Sequence, residues 1–176
     1  MSDEYTVSLN ELEKRLAVYI GKQRTAMNRN VTATNHKLAH EDPIKADIEG
    51  VMGELAFCKL LSTYPHDVFE ISIRSAADGQ DYGDVTMNGL RIDIKTSAYK
   101  SARLLANTKN PNVDILVLMT GEDGVYTLSG GIWAEEMYKD SRYDTHVGLR
   151  KPCYAVEHNE LISPEEVFKT LLYYSF

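Results

Sequence analysis

The pair Asn88-Gly89 is the feature that most constrains this chain. Asn-Gly between two alternating runs marks a two-residue hairpin, because a type I′ turn needs positive φ at both central residues. The flanking runs are Gly83 to Met87 and Leu90 to Ser97. With Asn88 and Gly89 as the loop, Met87 pairs with Leu90, Val85 with Ile92, and Asp84 lies opposite Asp93. Lys95, two residues beyond Asp93, shares its face of the sheet, while Leu90, Ile92 and Ile94 take the face where a core would sit. Directly opposite Cβ atoms lie about 4.5–5.5 Å apart, so the register gathers Asp84, Asp93 and Lys95 into one cluster. Two carboxylates placed this way repel each other. Lys95 can offset one charge, and a divalent cation could offset both. Hard oxygen ligands suit Mg²⁺ or Mn²⁺, which often take one or two carboxylates plus water and phosphate oxygens. A lysine beside such an ion can position or deprotonate its water and stabilise charge on a phosphate. The competing reading is a surface hairpin whose acids pair with neighbouring lysines.

The rest of the chain supplies an α/β setting. Ser8-Leu9-Asn10-Glu11 reads as a capping box, and Leu9, Leu12, Leu16 and Tyr19/Ile20 follow at helical spacing, which predicts a helix from Leu9 to about Arg29. Residues 30–41 read as a polar loop. Asp42-Pro43 gives an N-cap followed by proline, opening a helix with Ile44, Ile48, Val51, Met52 and Leu55 on one face and an end near Leu61. Phe69, Ile71 and Ile73 alternate as in a strand. Val113 to Met119 reads as a strand buried on both faces. Val125 to Leu128 is the next strand, leading through Gly130-Gly131-Ile132-Trp133 into a short helix to about Asp140. Cys153 to Val156 reads as a last strand, and Ser163-Pro164-Glu165-Glu166 as a second capping box. No repeat or linker interrupts the chain, which is long enough for one domain, with a helical part over 8–40 packed on a core over 42–176.

Asp84, followed by the tripeptide Asp93-Ile94-Lys95 on the next strand, resembles the signature of the PD-(D/E)XK nuclease superfamily. The tripeptide alone is too short to be specific; the hairpin register and the preceding helix give it context. Glu54, within Gly50-Val-Met-Gly-Glu-Leu-Ala-Phe57, resembles the acidic residue that many members carry on that helix. Gly83 stands where the signature often has proline, and Asp93 where glutamate is more frequent. The resemblance covers about residues 44–133 and implies a mixed central sheet flanked by helices, with a restriction-endonuclease-like αβββαβ core. It implies a Mg²⁺-dependent deoxyribonuclease (Mn²⁺ serving as well) that hydrolyses phosphodiester bonds in DNA. Asp84, Asp93 and Glu54 would be metal ligands and catalytic residues, and Lys95 the water-activating cation. RNA chemistry stays open. A non-cleaving nucleic-acid- or protein-binding member of the fold, such as an inhibitor or assembly factor, is the alternative. The intact acid and lysine set argues against that alternative, since a retired site would be free to lose it.

Charge fits contact at one cleft. The formal net charge of −7 argues against coating nucleic acid. Yet Lys14 to His40 holds Lys14, Arg15, Lys22, Arg24, Arg29 and Lys37 without an acid, and Thr96 to Val113 holds Lys100, Arg103 and Lys109 without one. Lys100, Arg103, Lys109, Arg24 and Arg29 are therefore the candidate phosphate contacts, with Thr96 and Ser97 as minor ones. His36 and His40 have zinc-like spacing but no third ligand nearby, and Asp81 reads as a loop residue. Trp133 reads as core in preference to a base-stacking residue. Cys58 and Cys153 read as buried thiols, consistent with a reducing, cytoplasmic setting. Neither a leader nor a membrane-length apolar run is visible. Cutting two strands is simplest with two sites, which makes a homodimer the arrangement to test. A compact stand-alone nuclease would suit a phage or mobile element.

Overall fold

The computed structural model describes residues 3–29, 42–62, 83–145 and 152–174. Its elements in chain order are β1 (Thr6–Ser8), α1 (Glu11–Arg29), α2 (Pro43–Leu60), β2 (Val85–Met87), β3 (Leu90–Ser97) and β4 (Leu104–Ala106). There follow β5 (Ile115–Glu122), β6 (Val125–Trp133), α3 (Ala134–Met137), β7 (Tyr143–Asp144), β8 (Cys153–Val156) and α4 (Pro164–Tyr173). The main sheet has the order β1-β6-β5-β3-β2, with β3 and β5 parallel and every other neighbour antiparallel. A smaller antiparallel sheet has the order β4-β8-β7. The fold is therefore mixed α/β. The expected strand at Phe69–Ile73, the 30–41 loop, His36, His40 and Asp81 lie outside the described residues.

The hairpin forms in the expected register, with Val85 opposite Ile92 and Met87 opposite Leu90, and both Asn88 (φ 48°) and Gly89 (φ 81°) are left-handed. On β5, Ile115, Val117 and Met119 enter the core beneath α2, while Leu116 and Leu118 enter a second core with Leu104, Met137, Tyr138 and Val156. A strand feeding two cores has no polar face, which accounts for its continuous apolar run.

Helix α2 is capped by Asp42, whose carboxylate accepts a hydrogen bond from the Ile44 N–H at 2.9 Å. From Val51 to Cys58 every residue of it is buried, because the main sheet covers one side and α1 the other. Gly53 lies against β3: a Cβ there would fall 2.1 Å from Thr96 Oγ1. No helix among the described residues is long and apolar enough to cross a membrane.

Three expectations are corrected. The α1 capping box is not at Ser8. Asn10 Oδ1 accepts from the Glu13 N–H at 2.9 Å and Glu13 Oε2 from the Asn10 N–H at 2.6 Å, because Thr6 to Ser8 are committed to pairing with β6. Nor does α1 bury its largest apolar side chains: Leu12 is 77% and Tyr19 60% exposed, whereas Glu13, Ala17, Ile20 and Thr25 are buried. Close approach decides this face, since a Cβ on Gly21 would sit 2.7 Å from Ile48 Cα. Polar pairs then cross the interface, Lys59 donating to Glu13 at 2.8 Å and Thr25 to Asp47 at 2.5 Å. Finally, Gly130 to Trp133 belong to β6, which runs past the expected end at Leu128, and the expected short helix follows at once as α3. Gly131 exchanges hydrogen bonds with Ile162, and a Cβ at Gly130 would meet the Ile162 carbonyl at 2.5 Å. These glycines mark a backbone crossing.

Candidate active site

Four elements converge on one acidic cluster. Gly83, at φ 83°, turns the chain into β2, and a Cβ there would lie 2.6 Å from the Ile92 carbonyl. Only glycine suits that position. Asp84 follows, its N–H donating to the Ile92 carbonyl at 2.7 Å while its Oδ2 accepts from the Ile94 N–H at 2.7 Å. The side chain thus continues the hairpin ladder past the end of β2. Its Oδ1 accepts no hydrogen bond from the described residues. On β3, Lys95 Nζ donates to Asp93 Oδ1 at 2.9 Å and lies 2.7 Å from Oδ2 in an ion pair, as their shared face allows. The Asp93 side chain is mostly buried, and that of Lys95 is 36% exposed.

Glu54 is the only acid in the fully buried stretch of α2, and a charge there needs a partner. That partner is Arg24 of α1, whose Nη1 and Nη2 donate to the two Glu54 oxygens at 2.5 and 2.8 Å. A guanidinium therefore meets this need within the protein itself. Sequence charge alone suggests a phosphate contact for Arg24, and the structure places it inside the cluster.

The charges perturb one another. Burial, then Glu54, then Asp93 hold the Asp84 carboxyl well above the ordinary carboxylate range, outweighing Lys95 and the Ile94 N–H. Burial opposes charge on Lys95, yet Asp93, Asp84 and the hydrogen bond to Asp93 reverse this and lift its pKa above the usual lysine range. A lysine so held is an ammonium at neutral pH. It can donate to a phosphate oxygen or orient a water, but it is not a free base. Tyr138, from the second core, contributes a smaller pull on the same ammonium and carries no motif that would have pointed to it.

Asp84 also implies a pH-dependent cost. A carboxyl whose folded pKa is raised stabilises the fold below its unfolded pKa and loses that contribution as pH rises through the folded value. Asp84→Asn is accordingly expected to raise Tm at pH 7–8, with the gain shrinking toward pH 4. Thermal melts across that range check it, and a gain that grows on acidification would contradict it.

The remaining candidates are scattered. Lys100 is exposed on the turn after β3, and Lys109 is exposed in the loop before β5. Arg103 is engaged by Asp144 at 3.2 Å and Glu157 at 3.6 Å. The side chain of Arg29 lies outside the described residues. Thr96 buries its hydroxyl against Gly53 with no hydrogen-bond partner among the described residues, so it does not face a phosphate, and Ser97 Oγ accepts from the Tyr99 N–H at 3.3 Å. Trp133 is half-buried beside Tyr174, their rings 6.0 Å apart, and both cysteines are free and buried.

Among the described residues, no three acidic, histidine or cysteine groups form a ready-made cation cage. Mg²⁺ does not require one, since it is commonly held by one or two carboxylates, water and substrate phosphates. Asp84, with one oxygen uncommitted, and Asp93 beside it provide the hard donors that such an ion takes.

Residues 3–121, well over half of the 176, match the profile described as Family of unknown function (DUF5843). The chain belongs to this family. The DUF5843 region contains Arg24, Glu54, Asp84, Asp93 and Lys95 and ends within β5. No curated protein and no solved structure matches the chain.

Proposed function

We propose that this DUF5843 member is a metal-dependent nuclease that hydrolyses phosphodiester bonds in DNA, built on a restriction-endonuclease-like core of α2, the β2–β3 hairpin and β5. The observation that carries the reading is the convergence of Asp84 before β2, Asp93 and Lys95 on β3, and Glu54 on α2. Asp84 and Asp93 would hold Mg²⁺ or Mn²⁺, and Glu54 would join them directly or through water. Bound there, the ion would supply Lewis-acid polarisation of the phosphoryl group and a more acidic water. Lys95 then donates to a non-bridging phosphate oxygen, where negative charge grows in the transition state. Its contact with Asp93 keeps this donor in place before substrate arrives.

One observation favours the non-cleaving alternative: Glu54 and Asp93 already have cationic partners. Divalent binding separates the two. At millimolar Mg²⁺ or Ca²⁺ the wild type is expected to melt at higher temperature, by an amount that follows ligand concentration over Kd. Asp84→Asn/Asp93→Asn is expected to show no such rise. Equal shifts in both proteins would place the ion elsewhere.

A further inference from the structure

Arg24 occupies both oxygens of Glu54, and the pair is withdrawn from solvent, with 6% of the Glu54 side chain and 19% of the Arg24 side chain exposed. Asp84 and Asp47 also lie within electrostatic reach of the guanidinium. In the protein as it stands, Arg24 therefore fills the role a bound cation would have at this end of the cluster. A divalent ion on Asp84 and Asp93 would repel the guanidinium, and Glu54 cannot turn fully to that ion while both its oxygens are held. The guanidinium fork fits a phosphate as well as a carboxylate, and in the same two-pronged manner.

We propose that the site works by ion-pair exchange: a divalent cation takes Glu54 while a backbone phosphate of the nucleic acid takes Arg24, so each ligand strengthens binding of the other. The proposal rests on the metal-dependent reading above and adds its regulation. Without nucleic acid the Arg24–Glu54 pair holds the cation site in a low-affinity state, and phosphate releases it. The coupling is reciprocal, as linkage requires. Lys95 does not provide the same gate. Its ammonium holds Asp93 through a single nitrogen and has no planar fork to pass from carboxylate to phosphate.

Calorimetric titration of Ca²⁺ at fixed pH, with and without a short duplex carrying non-hydrolysable phosphorothioate linkages, tests this without turnover. For the wild type the duplex is expected to tighten Ca²⁺ binding about tenfold or more, and Ca²⁺ to tighten duplex binding equally. For Arg24→Met, Ca²⁺ is expected to bind the free protein about tenfold more tightly than wild type, with the duplex adding less than about twofold. Arg24→Lys, which keeps the charge but lacks the fork, should fold where Arg24→Met does not, and is expected to lose at least about half of the coupling factor. Undiminished coupling in these variants overturns the exchange. So does weaker Ca²⁺ binding by Arg24→Met, which would make Arg24 a support that only positions Glu54. A wild type that binds no divalent ion defeats the metal-dependent reading itself, whereas binding and cleavage with coupling independent of Arg24 defeat only the exchange.

Discussion

Lys95→Ala is expected to lower divalent-dependent DNA cleavage by about 10²–10³-fold, the usual effect of removing one preorganised donor from a developing oxyanion. Asp93→Ala is expected to lose at least as much, because it removes a metal ligand and leaves the Lys95 ammonium without its partner. Neither change should unfold the protein: Lys95 is partly exposed, and the hairpin register rests on Ile92, Ile94 and the Asn88-Gly89 turn. The assay is single-turnover cleavage of plasmid and linear DNA, with circular dichroism and thermal melts run beside it. The geometry also predicts where the defect lies. An ammonium held by the Asp93 carboxylate acts on charge that grows in the transition state, so kcat should fall much more than KM rises. Wild-type rates in both variants would remove the nuclease reading. A loss confined to KM would instead make Lys95 a ground-state phosphate contact.

The hairpin, with Asp84, Asp93 and Lys95, is legible in the sequence because each step is local. A two-residue turn sets the register, the register sets the pairing, and the period of two sets the face. The capped start of α2 and the doubly buried β5 are legible for the same reason: caps and long apolar runs act over neighbouring residues. Where spatial neighbours decide, local patterns mislead. Of the α1 stripe at Leu9, Leu12, Leu16 and Tyr19/Ile20, Leu9 and Ile20 are buried, while close contact at Gly21 and the pairs of Glu13 and Thr25 leave Leu12, Leu16 and Tyr19 outside. The three-residue strands β1 and β4 and the two-residue β7 are too short to show a period, and their partners define them. Gly130 and Gly131 read in one dimension as a link between strand and helix, and in three they allow a backbone crossing at Ile162. Glu54 shows both sides of this. Its place in an apolar run signals that it needs a counter-charge, but nothing in the sequence says the counter-charge comes from residue 24.

Removing that counter-charge should produce the largest stability change in the molecule. Arg24→Ala leaves the Glu54 carboxylate buried and unpaired, which typically costs about 3–5 kcal/mol. Against a total of about 5–15 kcal/mol for an ordinary domain, that brings the fold near its threshold. The cost should be specific to the stranded charge, because α1 keeps its other links to α2 through Lys59–Glu13 and Thr25–Asp47. A double-mutant cycle makes this measurable. Arg24→Met/Glu54→Leu replaces both charges with apolar groups of comparable reach, and such replacements of buried ion pairs are often neutral or stabilising. Urea denaturation should therefore rank wild type and the double variant together, with the single variants Arg24→Met and Glu54→Leu far below, and should return a coupling energy of at least about 3–5 kcal/mol. An Arg24→Ala variant within about 1 kcal/mol of wild type would show that water reaches Glu54 and screens it. If the double variant is as stable as expected yet inactive, the buried pair is retained at this position for the chemistry of the site and not for the stability of the fold.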